Sequence, residues 1–177
     1  MSIREKKLTF TILSVSLLTV MAGAAVAPAL GVIKENFCDA SDILIQLIVS
    51  TPALFIILTS LFFPLLCKLL KTKTIALTAL FLYVITGVGA FFVSDIYVLL
   101  LFRALLGVSV GIMMPLSTGL LAYYFTQEEQ PNLMGLSAAM NQLGGVVATL
   151  IAGLLSNIGW NYTFLVYVLG LASVILV

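Results

Sequence analysis

Residues 96–125 read IYVLLLFRALLGVSVGIMMPLSTGLLAYYF, an apolar run whose single charge is Arg103. As an α-helix rising about 1.5 Å per residue it would measure about 45 Å, more than the roughly 30 Å hydrocarbon core of a bilayer. Five further stretches share this character: near Leu8–Ile33, Ile43–Leu66, Thr74–Val93, Leu133–Leu155 and Tyr162–Val177. The sequence therefore predicts an all-α membrane protein with six transmembrane helices. A closed β-barrel would need polar and apolar residues to alternate along short strands. Runs such as Ile75-Ala76-Leu77 and Val174-Ile175-Leu176-Val177 do not alternate.

Composition excludes the soluble alternatives. Of 177 residues, 62% are hydrophobic and 8% charged, against about 45–50% and about 25% in soluble domains. Eight basic and seven acidic side chains cannot cover a water-soluble surface of this size, so a soluble enzyme, a nucleic-acid binder and a disordered chain are all ruled out. A net charge of +1 gives no field to recruit nucleic acid. Histidine is absent, and with it go imidazole bases, His metal ligands and His-activated nucleophiles. Two cysteines, Cys38 and Cys67, are too few for a disulfide framework or a zinc site, and the topology puts them on opposite membrane faces. Intramembrane proteolysis would need paired aspartates, a Ser–His dyad or a metal site, and the spans hold none. The chain is expected not to be an enzyme and to carry neither metal nor cofactor.

Orientation follows from the basic residues. With the N-terminus in the cytoplasm, the inner segments hold Arg4, Lys6, Lys7, Lys68, Lys71 and Lys73, while the outer ones hold only Lys34. The expected location is a plasma or bacterial inner membrane, multi-pass, with the N-terminus cytoplasmic. Arg4, Lys6 and Lys7 before an apolar run that reaches Ala25-Val26-Ala27 imitate a secretory signal. That run is far longer than a signal core of about 7–15 residues, however, and Pro28 follows the cleavage point. The first span is read as retained. The sixth covers only roughly 24 Å at 1.5 Å per residue and has no polar exit. The chain is expected to be the front part of a longer protein whose C-terminal half is absent.

Polarity divides the spans. The third offers only Thr78, Tyr83 and Thr86, and the sixth only Tyr167 and Ser173, so both are expected to be plain lipid-facing helices. Spans one, two, four and five carry the polar and small residues. This three-plus-three pattern fits two inverted three-helix repeats around a central path. Polar side chains kept in lipid face a protein interior or a water-filled cavity, which makes Arg103, Asn141, Gln142 and Gln46 the candidates for substrate contact or coupling. Arg103 lies about 10 Å below the outer interface; either its stem lifts the guanidinium to the headgroups, or it faces a cavity and an anionic group. Asn141 and Gln142 lie near mid-bilayer and suit either a ligand or a neighbouring helix. Gly107 and Gly111 continue the Arg103 face at intervals of four, and Gly144 and Gly145 lie on the small-residue side of span five; all four are assigned to close helix packing. Met21, Met113 and Met114 could form a pliable apolar wall.

Taken in order, these features make the chain resemble the N-terminal six-helix half of a major facilitator superfamily transporter over essentially all of its length. Leu99, Arg103 and Gly107 match the family's fourth-helix motif, with Leu106 at its usual glutamine. Lys68, Lys71 and Lys73 supply the basic character of the inner gating loop, with Cys67 at the aspartate position and Phe63 and Leu70 at glycine positions; they serve as an inner gate or as topogenic charges only. Ala27-Pro28-Ala29-Leu30 and Gly159-Trp160-Asn161-Tyr162-Thr163-Phe164 add to the likeness. Gly135, Gly144 and Gly153 fit the antiporter motif, with Thr149 at its proline. The resemblance implies secondary active transport of a small solute by alternating access, with proton-coupled efflux as the antiporter form. Its partners would be the lipid bilayer, the solute, and a second six-helix half on the same polypeptide or a second copy. The other function class open to the sequence is a non-transporting assembly subunit or a truncated remnant.

Overall fold

The computed structural model describes residues 3–171, with side chains from residue 9 onward. Those residues are helical, with no strand among them. α1 (Ile3–Ala24) ends where Pro28 cannot donate a backbone hydrogen bond. A 3-10 turn, Ala27–Ala29, then carries the chain into α2 (Leu30–Asn36), which completes the first span. α3 (Asp42–Leu69) is opened by Ser41, whose hydroxyl accepts from Leu44 N at 3.4 Å. α4 (Thr72–Gly89) runs into a short 3-10 turn, Ala90–Phe92. α5 (Ile96–Tyr124) is capped by Asp95, which accepts from Tyr97 N and Val98 N at 2.7 and 3.1 Å. α6 (Gln130–Ser156) has Pro131 in its first turn, where a missing N–H costs nothing. The Gln130 amide donates to the carbonyls of Ala122 and Phe125 at 3.1 and 2.9 Å, fastening α6 to the open end of α5.

Among the described residues five segments are long and apolar enough to cross a membrane. The sixth expected span differs from the sequence reading. Its described part is a 3-10 helix, Trp160–Leu169, and the remainder lies outside the described residues, as do Ser173 and the side chains of Arg4, Lys6 and Lys7. In a 3-10 helix residues three apart eclipse one another. Phe164, Tyr167 and Gly170 therefore line up along one edge, and Thr163 with Val166 along the next; all five are buried.

Packing follows a repeated plan. α1 and α5 are the most enclosed helices, whereas α3 and α6 are mostly exposed. The two most extensive contacts are α3 with α5 and α1 with α6. Exchanging the first three spans for the last three converts one pair into the other, as two three-helix repeats require. Glycines allow both approaches. A Cβ on Gly107 would lie 2.5 Å from Pro52 O, and one on Gly111 2.8 Å from Ile56 O, both on α3. On α6, a Cβ at Gly144 would run into the Leu17 carbonyl of α1, and one at Gly145 would come within 3.0 Å of Val20.

Two prolines leave carbonyls to which neighbouring helices bring hydroxyls, as a bilayer demands. Pro115 deprives the Gly111 carbonyl of its intrahelical donor, and Ser60 of α3 donates to it at 3.1 Å. Pro28 does the same to Ala24, whose carbonyl the Thr149 hydroxyl of α6 only approaches, at 3.5 Å, while donating to the Gly145 carbonyl at 2.9 Å. The main core gathers residues of every span, including Leu18, Ile48, Leu80, Leu106, Ala148 and Phe164. A satellite core of Ile12, Leu121 and Phe125 closes the N-terminal face. Between the two, one face of α5 beyond Pro115 is open: Thr118 and Gly119 are exposed, and a Cβ on Gly119 would meet nothing within 4 Å.

Candidate functional site

Arg103 neither rises to the headgroups nor faces a solute cavity. It is 1% exposed, at the centre of a cage built by three other spans. One terminal nitrogen donates to the Ala22 carbonyl at 3.2 Å and to the Tyr167 hydroxyl at 2.9 Å; that hydroxyl donates to the same carbonyl at 2.9 Å. The guanidinium carbon lies 4.7 Å from the centre of the Phe164 ring and 5.5 Å from that of Tyr167. Tyr83 of α4 closes the cage, its ring edge-on to Tyr167 and its hydroxyl donating to the Leu18 carbonyl at 3.1 Å.

No carboxylate pairs with Arg103 among the described residues. Its countercharge is instead the end of α1. Ala22 is one of the last residues of that helix, where carbonyls lack intrahelical partners and the macrodipole is negative. The aromatic faces add cation–π attraction, which grows with desolvation. The Nε and second terminal nitrogen of Arg103 have no hydrogen-bond partner. The cage also corrects the reading of the third and sixth spans as plain lipid-facing helices: their tyrosines, Tyr83 and Tyr167, are fully buried and point inward.

A separate cavity of ≈ 520 Å³ lies among α1, α3, α5 and α6. Its polar lining is Thr19, Ser60, Ser117, Thr118, Ser137 and Asn141, with Met114 and Pro115 as apolar wall and no charged residue. Ser60, Ser117 and Thr118 donate to the backbone carbonyls of Gly111, Met114 and Met114 at 3.1, 3.0 and 3.2 Å. With their protons so engaged, these hydroxyls present lone pairs to the cavity. On the α1–α6 wall, Thr19 Oγ1 lies 2.8 Å from Asn141 Oδ1, and the Ser16 and Ser137 hydroxyls are 2.7 Å apart. The Asn141 amide is thus tied to Thr19 through its oxygen.

The other sequence candidates are placed elsewhere. Gln46 is exposed near the start of α3 and lines no described cavity. Gln142 is exposed on α6, turned away from the cavity that its neighbour Asn141 lines. Lys68, Lys71 and Lys73 are exposed at the α3–α4 turn. Lys34 with Asp42, 2.6 Å apart on the opposite face, forms the one ion pair among the described residues. Met21 and Met113 are fully buried in the core, and Met114 alone of the three reaches the cavity.

Reasoning from sequence missed Tyr83, Phe164 and Tyr167 as the cage of Arg103, and Thr19, Ser60 and Ser137 as cavity wall. The available signal for the first group was the spacing of three between Phe164 and Tyr167. For the second it was the matched polar pairs Ser16/Thr19 and Ser137/Asn141, each about one turn apart.

The sequence profile of the Major Facilitator Superfamily matches residues 12–177. No curated protein matches the chain.

Proposed function

The chain belongs to the Major Facilitator Superfamily of membrane transporters, and we propose that it forms one six-helix half of a carrier that moves a small, uncharged, hydrogen-bonding solute by alternating access. The observation that carries this reading is the cavity. Four different spans contribute hydroxyls and an amide to a single ≈ 520 Å³ space that holds no charge, within the usual range of small-molecule sites. Hydroxyls whose protons are spent on backbone accept hydrogen bonds, which favours a solute rich in N–H or O–H donors. A second six-helix half, on the same polypeptide or as a second copy, would complete the site across the exposed faces of α3 and α6.

The basic residues Lys68, Lys71 and Lys73 support a cell-membrane location with the N-terminus cytoplasmic, an orientation that puts the cavity in the cytoplasmic half of the bundle. The antiporter-like glycines of α6 support proton-coupled efflux. Among the described residues no carboxylate lines the cavity, so proton coupling would run through a group outside it, at the edges of the spans or in the second half. Arg103 is assigned a positioning role: it holds the end of α1 against α5 and the Trp160–Leu169 helix rather than touching solute.

Uptake and efflux of a panel of polyols and amides by the full-length protein tests this reading, with amines, cationic at neutral pH, as the charged comparison that should not be carried. For a transported member, Asn141→Ala should raise KM about tenfold, the cost of roughly one hydrogen bond. The thermal midpoint should stay near the parent's, because Asn141 is only half-buried. A KM unchanged by Asn141→Ala and by Thr118→Val would overturn the assignment.

A further inference from the structure

We propose that a second cavity, between α1, α4 and α5 at the N-terminal face of the bundle, binds an anionic phospholipid. It measures ≈ 340 Å³ and is built in two layers. Its floor is buried and mainly apolar, with Ile12 and Val15 of α1 and Leu116 of α5 beside Ser117, whose hydroxyl donates to the Met114 carbonyl; its mouth is exposed and polar, with Thr72, Lys73 and Tyr124. Leu116 lies two turns deeper along α5 than Tyr124, about 12 Å at the helical rise. A ligand that meets both layers must be apolar at one end and anionic at the other.

The charge pattern favours an anion at that boundary. Among the described residues no acid lines the cavity. α4 starts at its mouth with Lys71 as N-cap, no side-chain cap and no acid in the first turn. Its first N–H groups and the Lys73 ammonium therefore act together. Lys68 and Lys71 add basic charge on the same face, and clusters of this kind between membrane helices suit anionic headgroups. The acids of the α5–α6 turn lie outside this lining: Glu129 accepts from Thr126 N and Oγ1 at 3.2 and 3.0 Å, and neither it nor Glu128 lines a described cavity. An adjoining cavity of ≈ 320 Å³ between α3, α4 and α5 shares Thr72, Leu116, Leu120 and Tyr124 with the first, which gives a second acyl chain room beside the first one.

The test is the thermal midpoint of the purified full-length protein in nanodiscs of phosphatidylcholine, with and without phosphatidylglycerol. Phosphatidylglycerol should raise the midpoint by several degrees. Lys73→Gln should remove at least half of that rise, Lys73→Arg should keep it, and Lys34→Gln on the opposite face should leave it intact. Val15→Phe, which fills the floor, should reduce the phosphatidylglycerol retained in native mass spectra. Three outcomes overturn the proposal: a rise that Lys73→Gln leaves unchanged, equal stabilisation without anionic lipid, or the same rise from inorganic phosphate alone. Both leaflets of the disc are identical, so the result does not depend on the assigned orientation, and failure would leave the solute cavity untouched.

Discussion

Gly107→Ala should lower the thermal midpoint sharply, and Gly107→Leu should leave no monodisperse protein to purify. A Cβ there would lie 2.5 Å from Pro52 O, 2.9 Å from Pro52 Cα and 2.9 Å from the Phe55 Cβ. Two of these atoms are main chain, inside a helix that cannot shift without opening the whole α3–α5 contact. Added methylenes in adaptable cores cost about 1–3 kcal/mol, and a clash with backbone exceeds that range because no rotamer relieves it. Gly119→Ala is the matched control. It lies on the same helix, meets nothing within 4 Å, and should gain the few tenths to about 1 kcal/mol by which alanine exceeds glycine in helix propensity. Unfolding monitored in detergent separates the two, and a Gly107→Ala protein as stable as the parent would refute the packing described.

The second large effect concerns Arg103. Arg103→Ala should cost about 2–5 kcal/mol, as expected for emptying a fully buried site, and should abolish transport. Arg103→Lys should recover only part, since an ammonium can reach the Ala22 carbonyl or Tyr167 but cannot lie flat against Phe164. Arg103→Met divides packing from charge. Methionine fills much of the volume and relieves the cost of a buried cation with two unpartnered nitrogens, a replacement that is often neutral or stabilising. Its stability should fall within about 1 kcal/mol of the parent, with transport still lost because no hydrogen bond from α5 then reaches the end of α1. Parental transport by Arg103→Met would remove Arg103 from the mechanism.

The helices were legible because length and depth are one-dimensional properties. Ile96–Tyr124 can be seen as a membrane span from its run of apolar residues, Asp95 marks its start, and Pro28 marks the break in the first span. Direction around the helix axis was far less legible. Asn141 and Gln142 have the same chemistry and depth, yet one step of about 100° along an α-helix puts Asn141 on the cavity and Gln142 on the exposed face. Tyr83 and Tyr167 looked like stray polar residues on lipid-facing helices, because counting polar groups per helix says nothing of where they point. The countercharge of Arg103 had no sequence signature at all: it is a main-chain carbonyl, exposed to bonding by the end of α1. A search for an acid could not have found it.

The central claim, that the cavity walled by Ser60, Thr118, Ser137 and Asn141 is an aqueous solute path on the N-terminal side, is tested most directly by thiol accessibility in the full-length protein. Ser137→Cys, made with Cys38 and Cys67 replaced by serine, is exposed to a membrane-impermeant maleimide in sealed cells and in inverted vesicles. Ser137→Cys should react from the cytoplasmic side, while Leu150→Cys, on an exposed apolar face of α6, should react from neither. Reaction of Ser137→Cys from neither side, or no faster than Leu150→Cys, would contradict the account.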